Sequence, residues 1–232
     1  KELNIEGILS LVKEKYKEQK KIIVFGNTVE RAMELYRKPE IELRDRALLA
    51  HSRFSKPDRE RIERDIHEKF GKNSEFDGIL ITTQVSEAGL NISAPLVISE
   101  LAPMDSLIQR AGRCARFKKN SEKVKGEIIV IKPKVENGLW YAPYFDYIRL
   151  RKGGGRKDAY IKKKEQITLS ELTWIVLLEE AKACLTLDWN TEKELLNLAL
   201  NEIYSVFIKG SDVLYFEELK NKKLGGIIEK HK

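Results

Sequence analysis

The sequence is poor in what builds metal centres, disulfide frameworks or membrane spans. Two cysteines, Cys114 and Cys184, stand far apart and in no metal-ligand spacing. That excludes a disulfide scaffold and points to a reducing cytosol. Three histidines, His51, His67 and His231, include no ligand-spaced pair, so no metal site is expected. No apolar run approaches the roughly 20 residues that a membrane-spanning helix needs. The chain opens on Lys1 with neither an initiator methionine nor a signal-peptide pattern, and reads as a piece of something longer.

What is present is a balanced, core-forming sequence with one basic stretch. Hydrophobic residues make up 42% of the 232, and runs such as Ile22-Ile23-Val24-Phe25 and Ile128-Ile129-Val130-Ile131 exclude disorder throughout. That length supplies one substantial core, or a core plus a small satellite. The net charge is +7. Between Arg149 and Lys164 stand eight basic residues and one acid, a surplus that accounts for the whole excess. The remaining residues balance at 35 of each sign.

The first half alternates as an α/β chain does. Apolar spacing predicts a helix over Leu3 to Lys20, then a doubly buried strand over Lys21 to Gly26 and a helix from Val29 to Arg37. A second strand is predicted at Ala47 to Ala50. A charged helix follows over Lys56 to Phe70, with Pro57 in its first turn. Strands at Gly78 to Thr83, Leu96 to Glu100 and Gly126 to Lys132 follow, with a helix at Asp105 to Ala115. Such alternation implies a mostly parallel sheet with flanking helices, binding ligands beyond the carboxyl ends of its strands. The aromatic and proline-rich stretch Asn137 to Tyr147 and the basic, triple-glycine segment after it read as a linker. Thr168 to Leu187, with Ser170 as a weak cap signal, and Asn190 to Phe207 read as helices. The expected division is residues 1–133 as the α/β domain, 134–167 as a basic linker and 168–232 as a mainly helical C-terminal domain. There is no internal repeat.

Three segments carry chemistry. In Gln109-Arg110-Ala111-Gly112-Arg113-Cys114-Ala115-Arg116, helical spacing puts Gln109, Arg113 and Arg116 on one face, and Gly112 permits close approach to it. Two guanidiniums and an amide converging there suit a polyphosphate; a solvated basic helix face is the plainer alternative. In Ile79 to Ile92, a strand runs into Thr82 and Thr83, whose hydroxyls and amides suit a nucleic-acid phosphate. Gly89 then permits backbone near a phosphate, and Asn91 suits a ribose hydroxyl; an ordinary turn explains the glycine alone. Asn27 and Thr28 stand where a strand yields to a helix, so they either cap that helix or grip a phosphodiester. Ser52 and Arg53 follow the next strand in the same way, while the lone His51 reads as structural.

The order of these segments resembles the second RecA-like domain of superfamily 2 helicases. Thr-Gln-Val-x-Glu-Ala-Gly-x-x-Ile, followed by Leu-Ala-Pro-Met-Asp-Ser-Leu-Ile-Gln-Arg-Ala-Gly-Arg, resembles in particular the CRISPR-associated helicase–nuclease of type I interference systems. The likeness covers roughly Lys21 to Lys132. It implies that Gln109, Arg113 and Arg116 form motif VI, with the latter two as arginine fingers on the γ-phosphate. Gly89 and Asn91 would belong to motif V at the nucleotide, with Arg110 beside them in the ATP-binding set. The family commonly has an aspartate where this chain has Asn91, so the charge, though not the hydrogen bond, is lost. Asn27, Thr28 and Thr83 would touch the translocated strand. The resemblance further implies ATP and Mg²⁺ as cofactors, with single-stranded DNA, an N-terminal RecA-like domain, a His-Asp nuclease domain or subunit and an RNA-guided surveillance complex as partners. The implied location is the prokaryotic cytoplasm. Another superfamily 2 RNA or DNA helicase, or a non-catalytic adaptor with a helicase fold, are the alternatives.

The sequence has no Gly-x-x-x-x-Gly-Lys-Ser/Thr loop and no Asp-Glu-x-His or Asp-Glu-Ala-Asp box. This chain therefore holds half of an ATP site, the Mg²⁺ ligands being expected in the other RecA-like domain, and by itself it is expected to lack ATPase activity. The basic segment reads as an added phosphate tether or as a solvated linker. If it is a tether, replacing Lys162, Lys163 and Lys164 together lowers the log–log salt slope of single-strand binding by about 2, at roughly 0.7 per phosphate contact. An unchanged slope in a fluorescence-anisotropy salt titration makes it a linker.

Overall fold

The structure is a computed structural model that describes residues 2–38, 44–87, 89–117, 126–134, 143–144, 147–149 and 166–180. The chain divides into two compact units, Lys1–Phe145 and Asp146–Lys232.

In the first unit, Asn4 starts α1 (Ile5–Tyr16) by accepting the Gly7 amide at 3.0 Å. The alternation continues through β2 (Lys21–Phe25), α2 (Val29–Arg37), β3 (Ala47–Ala50), α3 (Lys56–Phe70) and β4 (Gly78–Thr82). Next come β5 (Leu96–Glu100), α4 (Met104–Ala111) and β6 (Glu127–Pro133). A two-residue strand, β1 (Glu2–Leu3), completes a six-stranded sheet of order β1-β6-β5-β2-β4-β3, parallel at every pairing. The sequence does not announce β1, which is too short to have a period.

The continuous apolar strands are explained by their burial on both faces. Ile22 and Val24 join Ile79, Ile81, Leu96 and Ile98 under α1 and α2, in a cluster with Ile8, Val12 and Leu35. Ile23 and Phe25 point the other way, into a cluster with Leu80, Val97, Ile66 and Phe70 of α3. Because the strands are parallel, Asn27, His51 to Arg53, Thr83 and Leu101 all follow strand ends on one edge of the sheet. That edge is where an α/β sheet presents its site.

The α/β expectation is met, with one local correction. The helix expected over Asp105 to Ala115 stops at Ala111, where Gly112 disfavours continuation. The chain then tightens, with Arg113 N donating to Arg110 O at 2.9 Å and Cys114 N to Ala111 O at 2.8 Å. Cys114 next bridges to Ala94 in a parallel pairing. Gln109, Arg113 and Arg116 therefore do not share one helix face.

In the second unit, β7 (Tyr147–Arg149) and β8 (Gln166–Thr168) pair antiparallel, so both ends of the basic segment enter strands that the sequence reading missed. The helix after them, α5 (Leu169–Glu180), begins close to the expected Thr168, and it is Thr168 rather than Ser170 that caps it. Thr168 Oγ1 accepts the Glu171 amide at 3.1 Å while the Glu171 carboxylate accepts the Thr168 amide at 2.9 Å, a reciprocal capping box. Lys162 to Lys164, Cys184 and the helix expected over Asn190 to Phe207 lie outside the described residues. Among the described residues no helix is long and apolar enough to cross a membrane.

Leu80 is fully enclosed at the centre of the sheet, so Leu80→Ala should lower the unfolding free energy by about 2–5 kcal/mol. The check is the urea midpoint at unchanged m-value, and a loss near zero would contradict this core.

Candidate functional site

The site is built around a charged side chain with no contact to solvent. Arg110, on the last turn of α4, is 0% exposed, an uncommon fate for arginine unless its donors are met. Here they are met. Nε donates to Glu87 Oε1 at 2.7 Å. Nη1 reaches Asn27 Oδ1 at 3.0 Å, Ser99 Oγ at 2.9 Å and Glu100 O at 3.0 Å. Nη2 donates to Tyr144 Oη at 2.8 Å, and the guanidinium lies 5.1 Å from the Phe25 ring centroid. The second ion pair of this interior joins Arg31 to Glu100, whose other oxygen accepts the Asn27 amide at 2.8 Å.

Two sequence expectations change as a result. Arg110 has no face toward a nucleotide, because its guanidinium is consumed inside the fold. Asn27 is equally enclosed, with Nδ2 on Leu101 O at 2.7 Å and Oδ1 on Arg110, so its side chain does not reach a strand. Both are interior anchors of the site.

The other motif residues lie along two adjacent stretches, 87–94 and 110–116. Their backbones are joined by Ala94 N to Arg113 O at 3.1 Å and Ala115 N to Ala94 O at 2.8 Å. Arg116 N donates to Ser93 Oγ at 2.8 Å. Between them, Arg113 is 8% exposed; its Nη2 donates to the main-chain oxygen of Glu87, and its Nε has no acceptor among the described residues. A buried donor without a partner is rare, and fits a site that receives an anion. Gly89 stands at φ +82°, in the left-handed region that glycine adopts without strain. Gly89, Asn91, Gln109 and Arg116 are exposed. Ala115 is left-handed too, at φ +45°, held by the bonds on either side of it. The structure thus brings Gly89, Asn91, Arg113 and Arg116 onto one double stretch, though by a route other than a helix face.

At the strand edge, Thr28 settles on capping: its Oγ1 accepts the Arg31 amide at 3.2 Å. Arg53, in the loop after β3, pairs with Glu30 in the first turn of α2, and both are more than half exposed. Such a pair contributes little, so Arg53 remains open to exchange for an external phosphate. Ser52 is exposed, with its carbonyl accepting from Arg59 at 2.9 Å. Thr83 is buried with an unpartnered Oγ1. His51 is held by stacking on Phe54 at 4.1 Å, and its Nδ1 accepts the Arg53 amide at 3.2 Å. Burial lowers its pKa and favours the neutral ring. Among the described residues no group of three His, Cys, Asp or Glu could hold a metal ion.

The sequence reading quoted Glu87 and gave it no role. It stands inside the 79–92 motif, which contains no basic residue, so the fold is needed to show that it meets Arg110 and Arg113.

Comparison with known proteins follows this geometry. The family model described as CRISPR-associated nuclease/helicase Cas3, C-terminal, matches residues 18–119. The chain is 35% identical over 133 residues to the putative CRISPR-associated nuclease/helicase Cas3 of Methanocaldococcus jannaschii, covering 54% of this chain and 18% of that protein. It is 39% identical over 116 residues to the CRISPR-associated nuclease/helicase Cas3 of Streptococcus thermophilus, covering 49% and 12%. It therefore spans less than a fifth of the length of these curated relatives. Among solved structures, T. fusca Cas3 superposes with a TM-score of 0.64 at 22% identity, covering 96% of this chain and 24% of that one. T. fusca Cas3 with ATP gives 0.61 at 23%, covering 93% and 24%. A CRISPR RNA-guided surveillance complex in a pre-nicking state gives 0.59 at 22%, covering 96% and 26%. At these identities the structural likeness is one of fold.

Cys114 reports on the packing of the 110–116 stretch. Its Sγ lies 3.2 Å from Glu127 O and 3.4 Å from Pro95 O, and burial pushes the thiol up to about 11. In a Cys184→Ser background, iodoacetamide at pH 8 should modify the native chain far more slowly than the urea-unfolded chain. The folded state holds the proton more tightly than the unfolded one. Stability from this group is therefore present below the ordinary thiol value and lost as pH rises toward 11. Equal alkylation rates would show that the stretch is open.

Proposed function

We propose that this chain, whose residues 18–119 match the family model described as CRISPR-associated nuclease/helicase Cas3, C-terminal, is the C-terminal motor domain of an ATP-dependent single-stranded DNA translocase acting in CRISPR interference. The supporting observation is the pairing of stretches 87–94 and 110–116, which gathers Gly89, Asn91, Arg113 and Arg116 beside a buried guanidinium nitrogen that lacks an acceptor among the described residues. ATP binds between this domain and a second RecA-like domain that supplies the phosphate loop and the Mg²⁺ ligands. Gly89 lets the backbone approach the nucleotide, and the Asn91 amide reaches the ribose. Gln109 orients the attacking water. Arg113 and Arg116 then meet the charge that develops on the γ-phosphoryl oxygens.

Closure of the two domains on ATP brings these arginines into place, and hydrolysis releases them, so that the pair steps along the strand. The strand lies across the carboxyl edge of the sheet, over Thr28, Ser52, Arg53 and Thr83. It is held by the exposed Ser52 hydroxyl, main-chain amides and one exchangeable arginine rather than by a basic field. Lys162 to Lys164 add a phosphate tether. In this reading residues 1–133 are the motor domain, 134–167 a basic linker and 168–232 a helical C-terminal domain. A His-Asp nuclease domain or subunit and an RNA-guided surveillance complex are the partners, in a prokaryotic cytoplasm. The isolated chain, holding half of the ATP site, has negligible ATPase activity.

In the full-length protein, Arg113→Ala should reduce single-strand-stimulated ATP turnover by about 10³-fold or more, with single-strand affinity largely retained. Near-normal turnover, measured by phosphate release, would overturn the assignment.

A further inference from the structure

Among the described residues, Glu87 is bonded to two of the three arginines of the 110–116 stretch, Arg110 and Arg113. Its carboxylate accepts from Arg110 Nε at 2.7 Å, and its main-chain oxygen accepts from Arg113 Nη2. The carboxylate is held at a distance from water, since the Arg110 side chain is fully enclosed and that of Glu87 only 10% exposed. Arg110 is itself fixed by Asn27, Ser99, the Glu100 carbonyl and Tyr144. A carboxylate tied to so immobile a guanidinium cannot wander, and neither can the carbonyl on the same residue.

From this geometry we infer that Glu87 and Arg110 are positioning residues: the buried pair fixes the Glu87 carbonyl, and that carbonyl sets the reach of Arg113. The inference rests on the reading of Arg113 as the group that meets the γ-phosphate. It adds a link to the strand edge. Glu87 closes the turn that begins at Thr83, with Ser86 N on Thr83 O at 3.2 Å and Glu87 N on Gln84 O at 3.0 Å. On its other side Arg110 holds Asn27, at the mouth of β2. The chain Asn27–Arg110–Glu87–Arg113 therefore joins the edge over which a strand passes to the arginine that acts on ATP. A pair serving stability alone would need the carboxylate contact and not the carbonyl one.

The test uses the full-length protein and single-strand-stimulated ATPase, with two kinds of variant. Glu87→Gln keeps the shape and weakens the hold on Arg110. The double variant Glu87→Leu/Arg110→Met replaces the pair by apolar groups of similar size; because it also leaves the Asn27, Ser99 and Glu100 acceptors of Arg110 unmet, it is read beside Glu87→Gln, which keeps them paired. A catalytic arginine displaced by about 1 Å costs on the order of 10²-fold. The double variant should therefore lose about that much in kcat, while KM for ATP stays within about twofold. The stimulation by single-stranded DNA should fall toward one, and the melting curve should remain cooperative. Glu87→Gln should fall between it and wild type. A folded double variant with wild-type kcat and stimulation overturns the inference. If Arg113→Ala is also without effect, or wild type hydrolyses no ATP, the functional reading fails and takes the inference with it.

Discussion

A single buried guanidinium organises this domain. Placing Arg110 in the interior incurs a desolvation cost of several kcal/mol unless each part of the charge is answered. The answering groups, five residues, come from four places in the chain: Asn27 after β2, Glu87 after β4, Ser99 and Glu100 in β5, and Tyr144 beyond β6. None of these can be moved without leaving a donor unpaired in a low-dielectric surrounding, where that omission is expensive. The carboxyl ends of two central strands, the turn after a third and the helix that follows β5 are thus tied together by one residue. The groups that face outward from those same segments are positioned as a consequence.

The arrangement separates two kinds of residue that the motifs interleave. Asn27 and Arg110 sit inside and hold; Gln109, Arg116, Gly89, Asn91, Ser52 and Arg53 sit outside and are free to meet ligands. Arg113 stands between, mostly covered but with one nitrogen unanswered among the described residues. Interior and exterior residues alternate within a few positions because tight turns reverse side-chain direction at nearly every step. Glycine or a left-handed residue marks two of these reversals, at Gly89 and Ala115.

The sequence was most legible where burial is uniform. The bounds of α2, β3, α3 and β5 can be read directly from apolar spacing, Pro57 and the flanking polar residues, because core placement enforces those patterns. Gly89, Arg113 and Arg116 are grouped as candidates for one site by residue type and order, and the fold does bring their two stretches side by side. Direction was not legible. Helical spacing carried past Gly112 places Arg113 and Arg116 with Gln109, whereas the chain leaves the helix at Ala111 and joins the 87–94 stretch. Motif membership likewise makes no distinction between an arginine that faces a ligand and one that supports it, so Arg110 looks like its neighbours. The strands β7 and β8 are three residues each, and β8 abuts a basic run with no alternation to reveal it. Glu87 acquires meaning only once two segments some twenty residues apart are folded against each other.

The two-faced burial of the central strands has a further consequence for how the fold keeps its alignment. In β2 and β4, residues pointing to either face are apolar, so sliding a strand by one position would exchange the two cores without sending a hydrophobic side chain into water. The hydrophobic effect alone is nearly indifferent to such a slip, unlike in a sheet with one wet face. The polar groups at the strand ends are not indifferent. Shift β2 by one residue and Asn27 loses Leu101 and Arg110; shift β4 and Thr82 loses the Ala50 carbonyl that it reaches at 3.1 Å. The rim that carries the candidate site is therefore also the domain's alignment mark. An insertion or deletion within a central strand would be registered first as a miswired rim, while the greasy interior remained filled.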